Sequence, residues 1–252
     1  MHKLSAVLIT LNEINCIDPC IDSISFADEI IVVDSYSTDG TWEYLNTHDK
    51  VKASQRVFKN YTDQKSNALS LTSHNWVLFV DADEIITEES KNEILSVLKN
   101  PKADAYYIFR KFIMNNKPLK YCGFQTDKQL RLFDKRKAHF APDRLVHEHL
   151  VTIGSSRILT HKLDHHFYKS YNDYSRRILF YGQLKGLELY RKNKKPNLFL
   201  RIIKPSFKFF YMFFVRFGIL DGSRGFTIAK INAKGVLERY KHLKKLIKEH
   251  KN

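Results

Sequence analysis

At 252 residues the chain exceeds a small single domain yet stays within reach of one α/β domain with an appendage. Hydrophobic residues make up 43% and aromatic residues 13%, which excludes a disordered, highly charged tail. The net charge of +15 is unevenly spread: residues 1–100 hold 8 Lys/Arg against 16 Asp/Glu, and residues 171–252 hold 20 against 5. This asymmetry predicts an acidic half that could hold a cation and a basic half that could meet an anionic polymer or a membrane.

MHKLSAVLIT opens with a short apolar run over residues 4–10, ended by Asn12 and Glu13, and reads as a first strand, without the apolar region and cleavage site of a signal peptide. A helix over residues 14–25 and a strand, EIIVVD, follow. After the turn-rich DSYSTDGT come a short helix, a weaker strand near residues 51–58, a helix near 62–73, and WVLFV running into Asp81. Thr87 caps the next helix, with Glu88 and Glu89 in its first turn, where the helix dipole favours acids. Alternating strands and helices predict a parallel sheet. From about residue 105 shorter mixed strands take over (AYYIFRKFI, QLRLF), and beyond residue 171 the pattern is helical. Cys16, Cys20 and Cys122 lack metal-type spacing and are odd in number, so they read as structural thiols in a reducing compartment.

In open α/β sheets ligands bind beyond the carboxyl ends of the strands, and here those ends are polar: Thr10-Leu11-Asn12-Glu13, then Asp34, then Asp81-Ala82-Asp83. A phosphate cradle of backbone amides would need glycine in the first loop, but the first glycine is Gly40, which weakens the Rossmann and P-loop readings. Two carboxylates after a strand offer hard oxygen ligands for Mg²⁺ or Mn²⁺, whose remaining positions diphosphate oxygens and water can fill. A lone D-x-D also arises by chance, and Asp83 could equally cap a turn.

VLITLNE, IIVVDSYSTDGT, QKSNAL and WVLFVDADE, in this order, resemble the inverting GT-A nucleotide-sugar glycosyltransferases of family 2. The later RLF, VHEHL and GILDGSRGF resemble a bacterial branch that adds sugars to the lipopolysaccharide core. The resemblance implies a GT-A α/β domain over residues 1–170 and a basic helical appendage over 171–252. It implies further that Thr10, Leu11 and Glu13 lie against the nucleoside, that Asp34 meets the uracil edge, and that Lys65 approaches the diphosphate. Asp83 would be the direct metal ligand, with Asp81 beside the ribose or a metal-bound water and Glu84 a supporting or acceptor contact. The family often has a second acid and then glycine after the first aspartate, where this chain has Ser35 and Tyr36, so the local base contacts stay open. Inversion needs a base on the acceptor side. Glu148 is the expected base, with Asp127 as the alternative. Aligning HKLDHHFYKSY to the family pattern selects His166 as a further metal ligand.

NLFLRIIKPSFKFFYMFFVRFGIL, residues 197–220, mixes phenylalanines and aliphatics with Arg201, Lys204, Lys208 and Arg216. No stretch has 18 uncharged apolar residues, so the segment is expected to lie in a membrane interface, or to pack as a buried helix, in preference to spanning. The expected function is transfer of a sugar from a UDP-sugar, UDP-glucose first, to an anionic glycolipid acceptor of the lipopolysaccharide-core type. The enzyme would be cytoplasmic and peripheral on the inner membrane. A nucleic-acid partner is not expected, because no helix-turn-helix, RNP or zinc pattern accompanies the positive charge. A sensor that binds a nucleotide-sugar without turnover is the other alternative.

Overall fold

A computed structural model describes the chain except residues 116, 141–149, 169, 196 and 250–252, and the side chains of residues 139, 167, 168 and 198. Contacts divide it into two units, Met1–Arg110 with Asp127–His166, and Lys111–Thr126 with Phe167–Asn252.

The first unit is built on β1 (Leu4–Thr10), α1 (Ile14–Ser23), β2 (Glu29–Asp34), α2 (Thr41–Asn46), β3 (Val51–Gln55), α3 (Tyr61–Ser70) and β4 (Trp76–Phe79). Then come the two-residue β5 (Glu84–Ile85), α4 (Glu88–Lys99) and the long β6 (Ala105–Met114), whose last residues enter the second unit. The strands run in the order β3-β2-β1-β4, all parallel. Period-2 alternation sorts their side chains onto two covered faces. Leu4, Ala6, Leu8, Ile30, Val32 and Leu78 pack in one cluster with Ile17, Ile21, Ile94 and Leu98 from α1 and α4. Val7, Ile31, Val33, Val77 and Phe79 pack on the other face with Ala68 of α3. The parallel run ends where β8 (Lys128–Asp134) joins β4 antiparallel, and β6 joins β8. Thr87 caps α4 as expected, its hydroxyl accepting from the Ser90 N–H at 3.3 Å.

Within the second unit, β7 (Lys117–Leu119) pairs with the end of β6. The small sheet of β9 (Ala138–Phe140) and β10 (Leu150–Thr152), then β11 (Ser156–Ile158), belong to the first unit, and β12 (Leu163–Tyr168) leaves it after His166, ahead of the second unit's helices. These are α5 (Tyr171–Arg191), α6 (Leu198–Phe210) and α7 (Ser223–Glu249), with a π turn at Tyr211–Val215 and a 3₁₀ turn at Gly218–Asp221 after α6. A Cβ on Gly182 of α5 would stand 2.5 Å from the carbonyl oxygen of Gly235 in α7, so only glycine lets the two backbones approach this closely.

The motif GILDGSRGF is a clasp of this unit. The Asp221 carboxylate accepts from the backbone N–H groups of Lys120 and Tyr121, and Arg224 donates to the Pro118 carbonyl at 2.8 Å. Any side chain on Gly225 would collide with the backbone of Gly218, and the Cys122 thiol donates to the Gly225 carbonyl. The contacts of Asp221, Arg224 and Gly225 with residues 118–122 tie the α6–α7 connection to the hairpin segment 117–126, and the approach of Gly225 to Gly218 closes the connection on itself. Cys20 and Cys122 are buried free thiols, as expected.

Candidate active site

β1 lies between β2 and β4, so their carboxyl ends open at one edge of the sheet. Thr10 and Asp34 are register partners there, and Val80 continues the ladder to Val7 one residue before Asp81. The loops after β1 and β2 are tied together by side chains. The Asn12 N–H donates to Ser37 Oγ at 2.8 Å, and Asn12 Oδ1 accepts from the Thr38 N–H at 2.8 Å. The Glu13 N–H donates to Thr41 Oγ1, and the Ile14 N–H to Asp39 Oδ2. Asp39 also accepts from the N–H and hydroxyl of Thr41; although desolvation opposes it, these bonds hold the carboxyl below its ordinary range. DSYSTDGT therefore acts as a clip that fixes the turn of LNEI. Asn12 and Tyr36 adopt left-handed backbone angles, φ 57° and 64°, and Leu11 and Tyr36 stand half exposed at the rim.

Asp34 is fully buried. Its carboxylate accepts from the Ser37 N–H and hydroxyl and from Gln55 Nε2 at 3.0 Å. Of about four lone-pair positions on a carboxylate, three are thereby filled. Two nearby buried oxygens, Thr10 Oγ1 and Gln64 Oε1, have no hydrogen-bond partner among the described residues. Gln64 itself donates to Ser35 Oγ at 3.1 Å, which puts this amide at the end of β2.

At the end of β4 the acids meet cations. Arg131 of β8, almost wholly buried, bridges Asp81 and Glu84 through one guanidinium nitrogen. Lys65 of α3 approaches the other Asp81 oxygen at 3.4 Å and lies over the Phe79 ring, 5.2 Å from its centroid. Glu84, fully buried, accepts the Asp81 N–H at 3.1 Å and meets Arg110 at 3.5 Å, and Arg110 pairs with Asp127 at 2.6 Å. The result is a chain of alternating charge, Lys65–Asp81–Arg131–Glu84–Arg110–Asp127, three acids against three bases. Burial works against the charge on Asp81, but Arg131 and then Lys65 outweigh it and hold the carboxyl far below the usual range. Burial opposes the Arg131 charge too, and the two acids drive its affinity for the proton above the ordinary arginine value. The Cys20 thiol, close to the Asp81 carbonyl, is pushed well up by burial and then by Glu84, Asp83 and Asp81, so it stays a neutral wall.

Asp83 stands outside this chain of charges. Its side chain remains partly exposed, and its carboxylate lies 3.4 Å from Nε2 of buried His165. The imidazole beside the Asp83 carboxylate is that of His165, next along β12 to His166, the expected metal ligand. His166 binds the Asp83 carbonyl through its backbone N–H at 2.8 Å, and neighbouring residues of β12 point their side chains to opposite faces. A partly exposed carboxylate with no Lys or Arg ion pair among the described residues suits Mg²⁺ or Mn²⁺, which keep most of their shell for phosphate and water. Among the described residues a tighter acid–imidazole group, Asp18, Asp22 and His48, has its ligand atoms within 4.8 Å of one another. It sits on α1 and just after α2, and the Tyr44 hydroxyl already bridges Asp18 and His48.

Of the expected residues, Thr10, Leu11, Glu13, Asp34, Asp81 and Asp83 belong to the strand-end segments, and Lys65 reaches Asp81 from α3. Glu148 lies outside the described residues. Asp127, the alternative base, is ion-paired with Arg110. Arg131, Arg110, Gln55, Gln64 and Asp39 were not anticipated, and His165 belongs to the HKLDHHFYKSY cluster from which the family pattern selects His166. Arg131 carried a legible signal: a lone arginine inside the apolar run LRLF must be paired if it is buried.

Residues 5–167 match the family described as Glycosyl transferase family 2. An uncharacterized glycosyltransferase of Rickettsia felis is 30% identical over the whole of this chain and 93% of its own length. The lipopolysaccharide core biosynthesis glycosyltransferase LpsC of Rhizobium meliloti is 25% identical over 94% of this chain and 93% of its own. Among solved structures, residues 1–349 of S. aureus TarS in complex with UDP align with a TM-score of 0.51 and 16% identity, covering 98% of this chain and 92% of that one. The mixed sheet with flanking and C-terminal helices is accordingly the GT-A fold.

Proposed function

We propose, for a chain that belongs to glycosyl transferase family 2 and is therefore a sugar-transferring enzyme, that it is a metal-dependent inverting transferase. It moves glucose from UDP-glucose to a lipopolysaccharide inner core or a related anionic glycolipid, at the cytoplasmic face of a bacterial inner membrane. The similarity to LpsC supports the acceptor class, and the UDP bound by a protein of like fold supports the donor nucleotide.

The reading rests on one observation: Thr10 and Asp34 are register partners at the carboxyl edge where β4 runs on into Asp81 and Asp83, with Lys65 of α3 paired to Asp81 and the Asp83 side chain partly exposed. The remaining lone-pair position of Asp34, with Thr10 Oγ1 and Gln64 Oε1, suits the donors and acceptors of a uracil edge. Leu11 and Glu13, fixed by the clip, border the nucleoside. Lys65 is a point charge that a diphosphate can draw from Asp81. Asp83 would hold Mg²⁺ or Mn²⁺, which when bound supplies Lewis-acid neutralisation of the leaving diphosphate. Arg131 keeps Asp81 ionised and in place while Lys65 turns to the donor. Glu148 takes the proton of the attacking acceptor hydroxyl.

UDP release from a panel of UDP-sugars, with a truncated core glycolipid as acceptor, tests each part. Release is expected from UDP-glucose, to fall at least ~10³-fold with EDTA or in Asp83→Ala, whose circular dichroism should match the wild type. Unchanged turnover in EDTA would remove the metal, and turnover of another donor alone would remove glucose. Glu148→Gln should abolish transfer but retain UDP-glucose binding, and full activity would assign the base elsewhere.

A further inference from the structure

The second unit carries an apolar surface that its own fold leaves uncovered. Along α6 and the turns after it, Phe199, Ile202, Ile203, Phe207, Phe210 and Phe214 recur at helical spacing and are each between 46% and 66% exposed. Tyr211, Val215, Phe217, Ile219 and Leu220 extend the ridge. The opposite side of the same segment, with Met212 buried and Phe209 and Phe213 partly so, already packs in the core of this unit, and Pro205 is buried as well. A helix apolar on both sides but covered on one is not the pattern of a water-facing surface. With aromatic side chains of 150–250 Å² each, the uncovered ridge is on the order of 1,000 Å², above the few hundred usual for a soluble monomer.

The ridge is organised before any partner arrives. Phe207 stacks on Tyr211 and Phe210 on Phe214, with ring planes 23° and 14° apart. The π turn at Tyr211–Val215 changes the helical phase where these rings stand outward. Phe217 takes a left-handed backbone, φ 58°, while its ring is half exposed. For a bulky residue that conformation is strained, and such strain gathers at sites of function.

Charge selects the partner. Lys192, Lys194 and Lys195 stand exposed just before α6, and Lys204 is exposed on it. Lys208 is surrounded by further cations: burial and then Arg239 and Arg216 lower its proton affinity. A second copy of this chain would bring the same positive surface against itself, whereas an anionic bilayer offers both an apolar layer and negative headgroups. No helix among the described residues is long and apolar enough to cross a membrane.

We infer that the ridge from Phe199 to Leu220, flanked by Lys192, Lys194, Lys195 and Lys204, is a membrane-docking surface that inserts its aromatic and aliphatic tips at the headgroup–acyl boundary of an anionic bilayer. The inference builds on the membrane-bound acceptor of the preceding reading, but it is measured without catalysis.

Flotation of the full chain with vesicles of phosphatidylcholine alone, or with one-third phosphatidylglycerol, gives the test. Binding is expected to be at least ~10-fold stronger to the anionic vesicles and to weaken with salt, as electrostatic attraction requires. The triple variant Phe207→Glu, Phe210→Glu, Phe214→Glu should lose at least ~10-fold in binding while keeping its thermal unfolding and its UDP release with a short-chain soluble acceptor. Lys192→Glu with Lys194→Glu and Lys195→Glu should remove the preference for anionic lipid. In Phe210→Trp, indole fluorescence should be quenched by lipids brominated near the carbonyl end of the acyl chain. Asp83→Ala should float like the wild type, which separates failure of docking from failure of transfer. Absence of flotation, or a stable dimer in solution that the triple variant dissociates, would overturn the proposal.

Discussion

Glu29 and Asp81 are both carboxylates at ends of parallel strands that flank β1, but at opposite edges of the sheet and in opposite company. Glu29 opens β2 and is held by neutral donors, the Ser5 hydroxyl and the N–H and hydroxyl of Ser73, with Lys52 reaching in from solvent. Burial opposes its charge, and the bonds from Ser5 and Ser73 more than compensate, bringing its pKa down to about 2. Asp81, beyond β4, is held by two cations, Arg131 of β8 and Lys65 of α3, the second of which is proposed to turn to the donor. Hydroxyl and amide partners fix a carboxylate permanently. Cationic partners fix it too, but leave a positive group that can be shared with an incoming anion. The lower edge of the sheet serves the fold, and the upper edge is the one proposed to serve the donor.

Breaking the upper edge should cost most. Arg131→Met would leave Asp81 and Glu84 buried without their shared cation, a loss of about 3–5 kcal/mol in urea unfolding, with transfer reduced to background. Replacing both acids as well, Asp81→Asn and Glu84→Gln, should recover most of the stability but none of the transfer. An Arg131→Met variant as stable as the wild type would mean the network contributes little.

The lower edge has its own signature in pH. Glu29 holds its proton less tightly in the folded chain than the 4.5 of the free group, so the unfolded chain takes up the proton first. Its contribution is complete above pH 4.5 and fades as pH falls toward 2, amounting to about 3 kcal/mol at 1.36 kcal/mol per pH unit. Glu29→Gln should flatten that part of the stability profile and leave transfer at neutral pH unchanged, which stability curves between pH 2 and 6 would check.

The smallest effect is expected at the clip. Asp39→Ala removes the acceptor for the Ile14 and Thr41 N–H groups and should cost about 1 kcal/mol, as loss of a capping side chain does. Because the clip fixes the loop Leu11–Glu13, KM for the donor should rise several-fold with little change in kcat. Steady-state UDP release would distinguish this from a general loss of folded enzyme.

Strand and helix periods were legible where burial is two-sided: Leu4–Thr10 and Glu29–Asp34 fall where their apolar runs lie, and the helix expected over 14–25 ends at Ser23. The weaker strand stops at Gln55, because Arg56 and its neighbours turn back toward Asp34 and Asp63. The choice between His165 and His166 was not legible, since a pleated strand assigns faces only once its register is known, and β12 takes its register from β5. Nor could DSYSTDGT alone reveal that its hydroxyls and Asp39 would tie down a loop 25 residues earlier.

The sequence by itself determined the alternation of strand and helix, the acids at three strand ends, the family resemblance and the basic, aromatic C-terminal third, because each is written in local period and composition. Only the tertiary structure decided that Asp81 is paired with Arg131 and Lys65 while Asp83, among the described residues, meets His165 and no Lys or Arg, that Glu84 is a buried strut, and that one side of the Phe199–Leu220 segment stays exposed. Pairing and burial depend on which distant elements arrive beside a residue. Arg131 lies 50 positions from Asp81, and that distance closes only when β8 joins β4.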